Sequence, residues 1–183
     1  MQIVITACNL FHHSKECNDK FKWSHIVEFN VMPTAYDVPA ESLIDGLKDY
    51  LKKSGIINVP PFINYSKTGS QAERPPFDPD WYFYRAASIL RKVYIYGPVS
   101  VKDLSKKYGG RKQRGFYLAH SQPAGMKHIR KILLDLETAG LIKKTKAGRE
   151  LTGKGISTVD KISSDIFDGL KAKVKAVEKL GIG

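Results

Sequence analysis

The chain has 183 residues, 42% of them hydrophobic, and carries 30 Lys or Arg against 18 Asp or Glu, a formal net charge of +12. That length supports one core, or a compact domain with an appendage. So basic a balance points to a polyanionic partner, because Lys and Arg displace condensed counterions from phosphates.

No apolar run approaches the roughly 20 residues needed to cross a bilayer, so no membrane partner is expected. No basic segment precedes "IVITACNLF", as a secretory leader requires. Both cysteines, Cys8 and Cys17, fall in the first 31 residues; this argues against a disulfide-stapled fold and fits a reducing cytosol.

Residues 1–31 read as foreign to the rest. They balance Lys15, Lys20 and Lys22 against Glu16, Asp19 and Glu28, and lack clean periodicity. "MPTAYDVPAE" follows like a natural opening, so residues 1–31 are expected to be a loose extension or a mis-assigned start, with Met32 the true one and residues 32–183 a single domain. Cys8, His12, His13, Cys17 and His25 are metal-ligating types, but their spacing matches no zinc finger, and no metal or cofactor is expected.

From about 39 to 53 the pattern is helical, with Pro39 in the first turn and Leu43, Ile44, Leu47, Tyr50 and Leu51 at three-to-four spacing. Gly55 stops it, and "NVPPFINYSKTGSQAERPPFDPD" reads as a proline-rich irregular connector. Asp80 is the expected N-cap of a helix over "WYFYRAASILRKVYIYG". Phe83, Ala86, Ala87, Leu90, Val93 and Tyr94 lie inward on its wheel, while Trp81, Arg85, Ser88 and Lys92 share another face. Trp81 is either exposed there or partly buried.

Ser100 is expected to cap a short helix over "VKDLSKKYG", with Val101, Leu104 and Tyr108 on one side. "GMKHIRKILLDLETAG" is an amphipathic helix burying Met126, Ile129, Ile132, Leu133, Leu136 and Ala139, with Lys127, Arg130 and Lys131 pointing away. Gly140 ends it. "LIKKTKAGRELT" reads as a two-stranded hairpin. A long helix over 156–180 aligns Ile156, Val159, Ile162, Ile166, Leu170, Val174 and Val177, with Gly169 as its weak point. The expected fold is mainly α: a winged helix-turn-helix core with a small β-hairpin wing and extra N- and C-terminal helices.

The charge is concentrated in the middle. Positions 90–155 hold sixteen Lys or Arg and four Asp or Glu, an excess equal to that of the whole chain. Its focus is the stretch "KKYGGRKQRGFYLAHSQPAGMKHIRK", which lacks the G-x-x-x-x-G-K-[ST] pattern of a nucleotide-binding loop. His120 and His128 have no cysteine near them, and His120 beside Ser121 lacks the third orienting group of a catalytic relay. His128 is expected at a helix rim, exposed or stacking. As a loop that grips a polyanion the stretch makes sense: glycines let backbone amides approach phosphate oxygens, and Arg111, Lys112 and Arg114 supply charge. Phe116 and Tyr117 either stack on unpaired bases or pack back on the domain.

Several motifs together are similar to one family. Trp81-Tyr82, Arg85-Ala86-Ala87-Ser88, Arg91 and Tyr94 are followed by Tyr108-Gly109-Gly110-Arg111 and Arg114-Gly115. Then come Ile129-Arg130-Lys131-Ile132-Leu133, Leu136-Glu137, Gly148-Arg149, Leu151-Thr152 and Gly155, with Tyr36-Asp37-Val38-Pro39 as the opening. From about 36 to 168 the chain resembles the archaeal and eukaryotic small-subunit ribosomal protein nineteen family, S19e. The resemblance implies a helical protein with a winged-helix core, seated on ribosomal RNA in the head of the small subunit and engaged in its assembly. It also implies that the Trp81–Arg91 face and the Arg130–Lys131 face matter.

The expected interface comprises Trp81, Arg85, Arg91, Lys92, Lys106, Lys107, Arg111, Lys112, Arg114, Lys127, Arg130, Lys131, Lys146 and Arg149. Expected partners are small-subunit ribosomal RNA and neighbouring ribosomal proteins, in the cytoplasm and at the ribosome, with no small-molecule substrate and no catalysis. The rival is a winged-helix DNA regulator that dimerises through Ile156, Val159, Ile162, Ile166 and Leu170. An RNA-modifying enzyme finds no nucleophile, acid pair or metal set to support it.

Overall fold

The computed structural model describes residues 33–179, with side chains through residue 172. The expectations placed on residues 1–31, including the metal-ligating types there, and on the side chains of Val174 and Val177 lie outside the described residues. What is described is mainly helical, with two small antiparallel hairpins.

Helix α1 spans Ala40–Ser54 and starts one residue later than its sequence pattern indicates, with Pro39 in the N-cap position and a left-handed Gly55 at its end. It buries Leu43, Leu47 and Leu51, the spacing of a single helical stripe. The connector that follows holds one short 3₁₀ turn, Pro61–Asn64, which buries Ile63.

Helix α2, Trp81–Tyr96, buries Tyr82, Ala86, Ala87, Ile89, Leu90 and Val93. This set is wider than one stripe because α1 packs on one side of α2 and the second hairpin on another. The wheel missed Tyr82 and Ile89 for that reason. Asp80 does precede the helix but does not cap it through its side chain. Its carboxylate instead accepts from Lys52 Nζ of α1 at 2.7 Å, so a residue expected to serve one helix end joins two helices.

Helix α3, Val101–Lys107, begins with a complete capping box. Asp103 N–H donates to Ser100 Oγ at 3.2 Å and Ser100 N–H donates to Asp103 Oδ2 at 3.3 Å, satisfying amide donors that a seven-residue helix cannot pair internally. Leu104 faces the core.

The glycine-rich stretch expected as a loop is a hairpin. Strand β1, Gly110–Arg114, pairs with β2, Tyr117–Gln122, around Gly115 at φ +64°. The register runs Arg111 to Ser121 and Lys112 to His120, with an irregularity before Arg114. Residues 111–120 are all exposed. No apolar face existed for a period-two signal to reveal, which is why the pattern hid the strands.

Helix α4, Met126–Thr138, packs on α3 and buries Ile129, Ile132, Leu133 and Leu136. Met126, expected in that stripe, is 36% exposed. Strands β3, Ile142–Lys144, and β4, Arg149–Leu151, form the hairpin read from the sequence. Val99 bridges to Arg149 with both backbone bonds at 3.1 Å. Helix α5, Gly153–Lys179, buries Val159 and sets Ile162 and Ile166 against Gly46 of α1. Ile156, expected inward, is 42% exposed.

Gly148 is where the second hairpin meets the strand-like Val99. Its φ is +155°, and a Cβ there would stand 2.9 Å from the Val99 carbonyl carbon and oxygen. Gly148→Ala is therefore expected to lower unfolding free energy by about 1–3 kcal/mol, measured by urea denaturation. An unchanged midpoint would show that the Val99 bridge contributes nothing.

Candidate nucleic-acid interface

Arg85 and Ser88 are three residues apart on α2, and Lys92 lies one turn beyond Ser88, so all three share a face. That face is not bare. Tyr108, one residue past α3, lays its ring 4.1 Å from the Arg85 guanidinium and 3.5 Å from Lys92 Nζ, and its hydroxyl donates to Ser88 Oγ at 2.8 Å. Next to it, Lys107 Nζ sits 2.9 Å from the centre of the Tyr96 ring. Arg85, Arg91, Lys92 and Lys107 thus gather where α2 meets α3, and none of them makes an ion pair among the described residues.

The crowding shows in Lys92. Burial, then the charges of Arg85, Lys107 and Arg91, push its ammonium down to about 8. Burial also lowers Arg85, partly opposed by Tyr108. An approaching anion would relieve both. Arg91 keeps a buried Nε without a protein partner.

Trp81 proves partly buried. Its ring meets Tyr82 edge-on with centroids 5.8 Å apart, and His128 edge-on at 5.5 Å. His128 is not an exposed rim residue, being only 7% accessible. Its Nε2 donates to the Lys67 carbonyl at 3.0 Å, and Phe62 packs against its ring. Burial holds the imidazole below its ordinary range. His128 fastens the 61–69 connector to α4, and Trp81 of α2 packs on its ring.

Arg111, Lys112 and Arg114 lie along the exposed first hairpin. At its tip Phe116 and Tyr117 are solvent-exposed; the alternative in which they pack back on the domain is excluded. Lys106 and Lys146 are exposed as well. On α4, Lys127 and Arg130 are exposed, Lys127 Nζ standing 4.5 Å over Phe62.

Two expected contacts are committed elsewhere. Lys131 pairs with Asp135 at 2.9 Å, one turn along the same helix, rather than pointing freely away. Arg149 Nε donates to Glu137 Oε1 at 2.7 Å with its side chain 17% accessible, tying the second hairpin to α4. Tyr108 and Tyr96, which sequence reasoning left out of the site, are the rings that hold its cations. Tyr108 read as a core residue because its helix-side spacing matched Leu104.

Among the described residues no group of three or more His, Cys, Asp or Glu could hold a metal, and no helix is long and apolar enough to cross a membrane. Fold and surface define a small, basic, mainly helical protein with unpaired cations and bare aromatic rings on its outside, the chemistry of a polyanion binder.

Residues 34–169 match the family Ribosomal protein S19e, and the chain belongs to that family. It is 37% identical over 142 residues to small ribosomal subunit protein eS19 of Thermoplasma volcanium, covering 78% of this chain and 95% of that one. The eS19 of Mya arenaria is 38% identical over 131 residues, 71% of this chain and 88% of that one. The eS19B of Schizosaccharomyces pombe is 35% identical over 133 residues, 72% of this chain and 93% of that one. The family is one of structural ribosomal proteins: the chain is a ribosome component, located in the cytoplasm, and not an enzyme. Family membership gives the DNA-regulator alternative no support.

Two measurements check this site. Arg149→Ala is expected to lose about 1–3 kcal/mol of stability as a charged hydrogen bond is removed, whereas exposed Arg130→Ala stays within about 0.5 kcal/mol; urea unfolding of the two variants separates them. For Lys92 the folded pKa of about 8 lies below the ordinary lysine value of 10.5. Its charge therefore opposes folding fully below about pH 8, and the penalty fades as pH rises toward the unfolded value. The stability advantage of Lys92→Met over the parent should shrink between about pH 7 and about pH 10. A constant difference would mean Lys92 is not desolvated.

Proposed function

We propose that this chain is a structural constituent of the small ribosomal subunit that binds ribosomal RNA in the subunit head and supports subunit assembly and rRNA maturation. In this reading residues 32–183 are one winged-helix domain. The short β3–β4 hairpin is the wing, and neighbouring ribosomal proteins cover part of the remaining surface. The observation that carries it is the set of cations without acidic partners, running from the α2–α3 junction onto the first hairpin, in a member of the S19e family.

The physical division of labour follows from exposure. Arg85, Arg91, Lys92 and Lys107 are partly held in place by rings and helix packing, so they meet a phosphate at little cost in side-chain ordering. Arg111, Lys112 and Arg114 ride on a projecting hairpin and reach phosphates farther from the core. Lys106, Lys127, Arg130 and Lys146 add exposed charge. Lys131 and Arg149 serve this function through the shape they maintain. The A-form major groove is too deep and narrow for side-chain readout, so recognition comes from RNA shape and from unpaired bases, for which Phe116 and Tyr117 offer open faces.

The test is binding of the full chain to purified small-subunit ribosomal RNA across a salt series. Replacing Arg111, Lys112 and Arg114 together by Ala should lower the log–log salt slope by about 2 to 3, at roughly 0.7 to 0.9 per phosphate contact. Phe116→Ala with Tyr117→Ala should leave that slope unchanged and weaken binding by about 1–3 kcal/mol per stacked base. If the parent chain neither binds the RNA nor co-sediments with small subunits at low salt, the reading fails.

A further inference from the structure

A cavity of about 320 Å³ lies between α3, the end of β2 and the start of α4. Lys102, Ser105 and Lys106 of α3 form one wall; Ser121, Gln122, Pro123 and Met126 form the other. Of these only Lys106 was expected at an interface.

Lys102 and Lys106 are one turn apart, so their stems rise from the same face of α3. Neither makes an ion pair among the described residues, and no carboxylate lines the cavity. The one acid of α3, Asp103, accepts from the Ser100 hydroxyl at 2.7 Å and is engaged in the capping box. The cavity therefore keeps two positive charges on one wall.

Its other groups divide by chemistry. The Ser105 hydroxyl donates to the Ala124 carbonyl at 2.7 Å and is buried, so it closes the floor rather than meets a ligand. Ser121 and Gln122 supply polar side chains. Met126 and Pro123 supply an apolar patch, and Met126 is the member of its helix stripe that the core leaves uncovered. A thioether exposed beside a proline is a soft surface suited to a flat ring.

Ligand pockets run from roughly 300 to 1,000 Å³, so this one has room for about one nucleotide. We propose that it receives a single unstacked nucleotide of the bound RNA. The phosphate lies on Lys102 and Lys106, the base rests on Met126 and Pro123, and its edge meets Ser121 and Gln122. The inference depends on the RNA-binding function above and assigns a subsite to it. None of its lining residues belongs to the Arg85–Lys92 cluster, so the two surfaces are separable by mutation.

The experiment follows amide resonances of the full-length protein during titration with short single-stranded oligouridine, with a blunt RNA duplex and with uridine monophosphate. Oligouridine should shift Ser121, Gln122 and Met126, while the duplex leaves them in place. Lys102→Ala with Lys106→Ala, two exposed positions, should retain the helical circular-dichroism signal, weaken oligouridine binding and lower its log–log salt slope by about 0.7, one phosphate contact. If RNA moves only the hairpin tip and the α2 signals, the subsite is overturned while the RNA-binding reading stands. If no RNA binds at all, both fall. Equal shifts from uridine monophosphate alone would make this a free-nucleotide site and overturn the assignment to RNA.

Discussion

The surface depends on one aromatic ring. Arg85 and Lys92 repel each other and have no acid to balance them, yet both are held against Tyr108. Each cation–π contact contributes about 0.5–2 kcal/mol, which offsets part of the cost of crowding like charges on a half-buried face. The same tyrosine is anchored by its hydroxyl to Ser88 and accepts through its carbonyl from Gln71 Nε2 at 3.3 Å. One residue therefore fixes α3 to α2, sets the start of the first hairpin and presents two cations outward.

That arrangement stores electrostatic strain where an anion can release it. Lys92 is pushed down by burial and by its cationic neighbours, the opposite of what a stabilising ion pair does. A protein built only for its own stability gains nothing from such a cluster. A partner dense in phosphate, as in the proposed function, would remove that repulsion on binding.

The rest of the basic excess is not uniform in purpose. Arg149 and Lys131 are bound to Glu137 and Asp135, and Lys52 to Asp80; these pairs join a hairpin to α4, brace one turn of α4, and join two helices. The first hairpin has the reverse character. Its strands are exposed along both faces and depend on backbone pairing, a glycine turn and attachment at the base, where Gly125 N–H donates to the Thr68 carbonyl at 2.8 Å. A projection of that kind contributes little to the core, so its cations and tip aromatics are free to be chosen for contact.

The sequence determined what is local. Helical periodicity placed Leu43, Leu47 and Leu51 on one face, Ser100 announced the cap of α3, and the lysine-flanked turn announced the second hairpin. Charge counting located the basic segment, and the run of motifs from Tyr36 to Gly155 identified the family. Only the tertiary structure decided which cations remain unpaired, because Glu137 and Arg149 are twelve residues apart and meet through a hairpin that folds back. It also decided that Tyr82 is core, that His128 is enclosed by a distant connector, and that a glycine-rich stretch pairs as strands with no apolar face to advertise it. A side chain's neighbours along the chain are written in the sequence, whereas those across space come from other elements and leave no periodic mark.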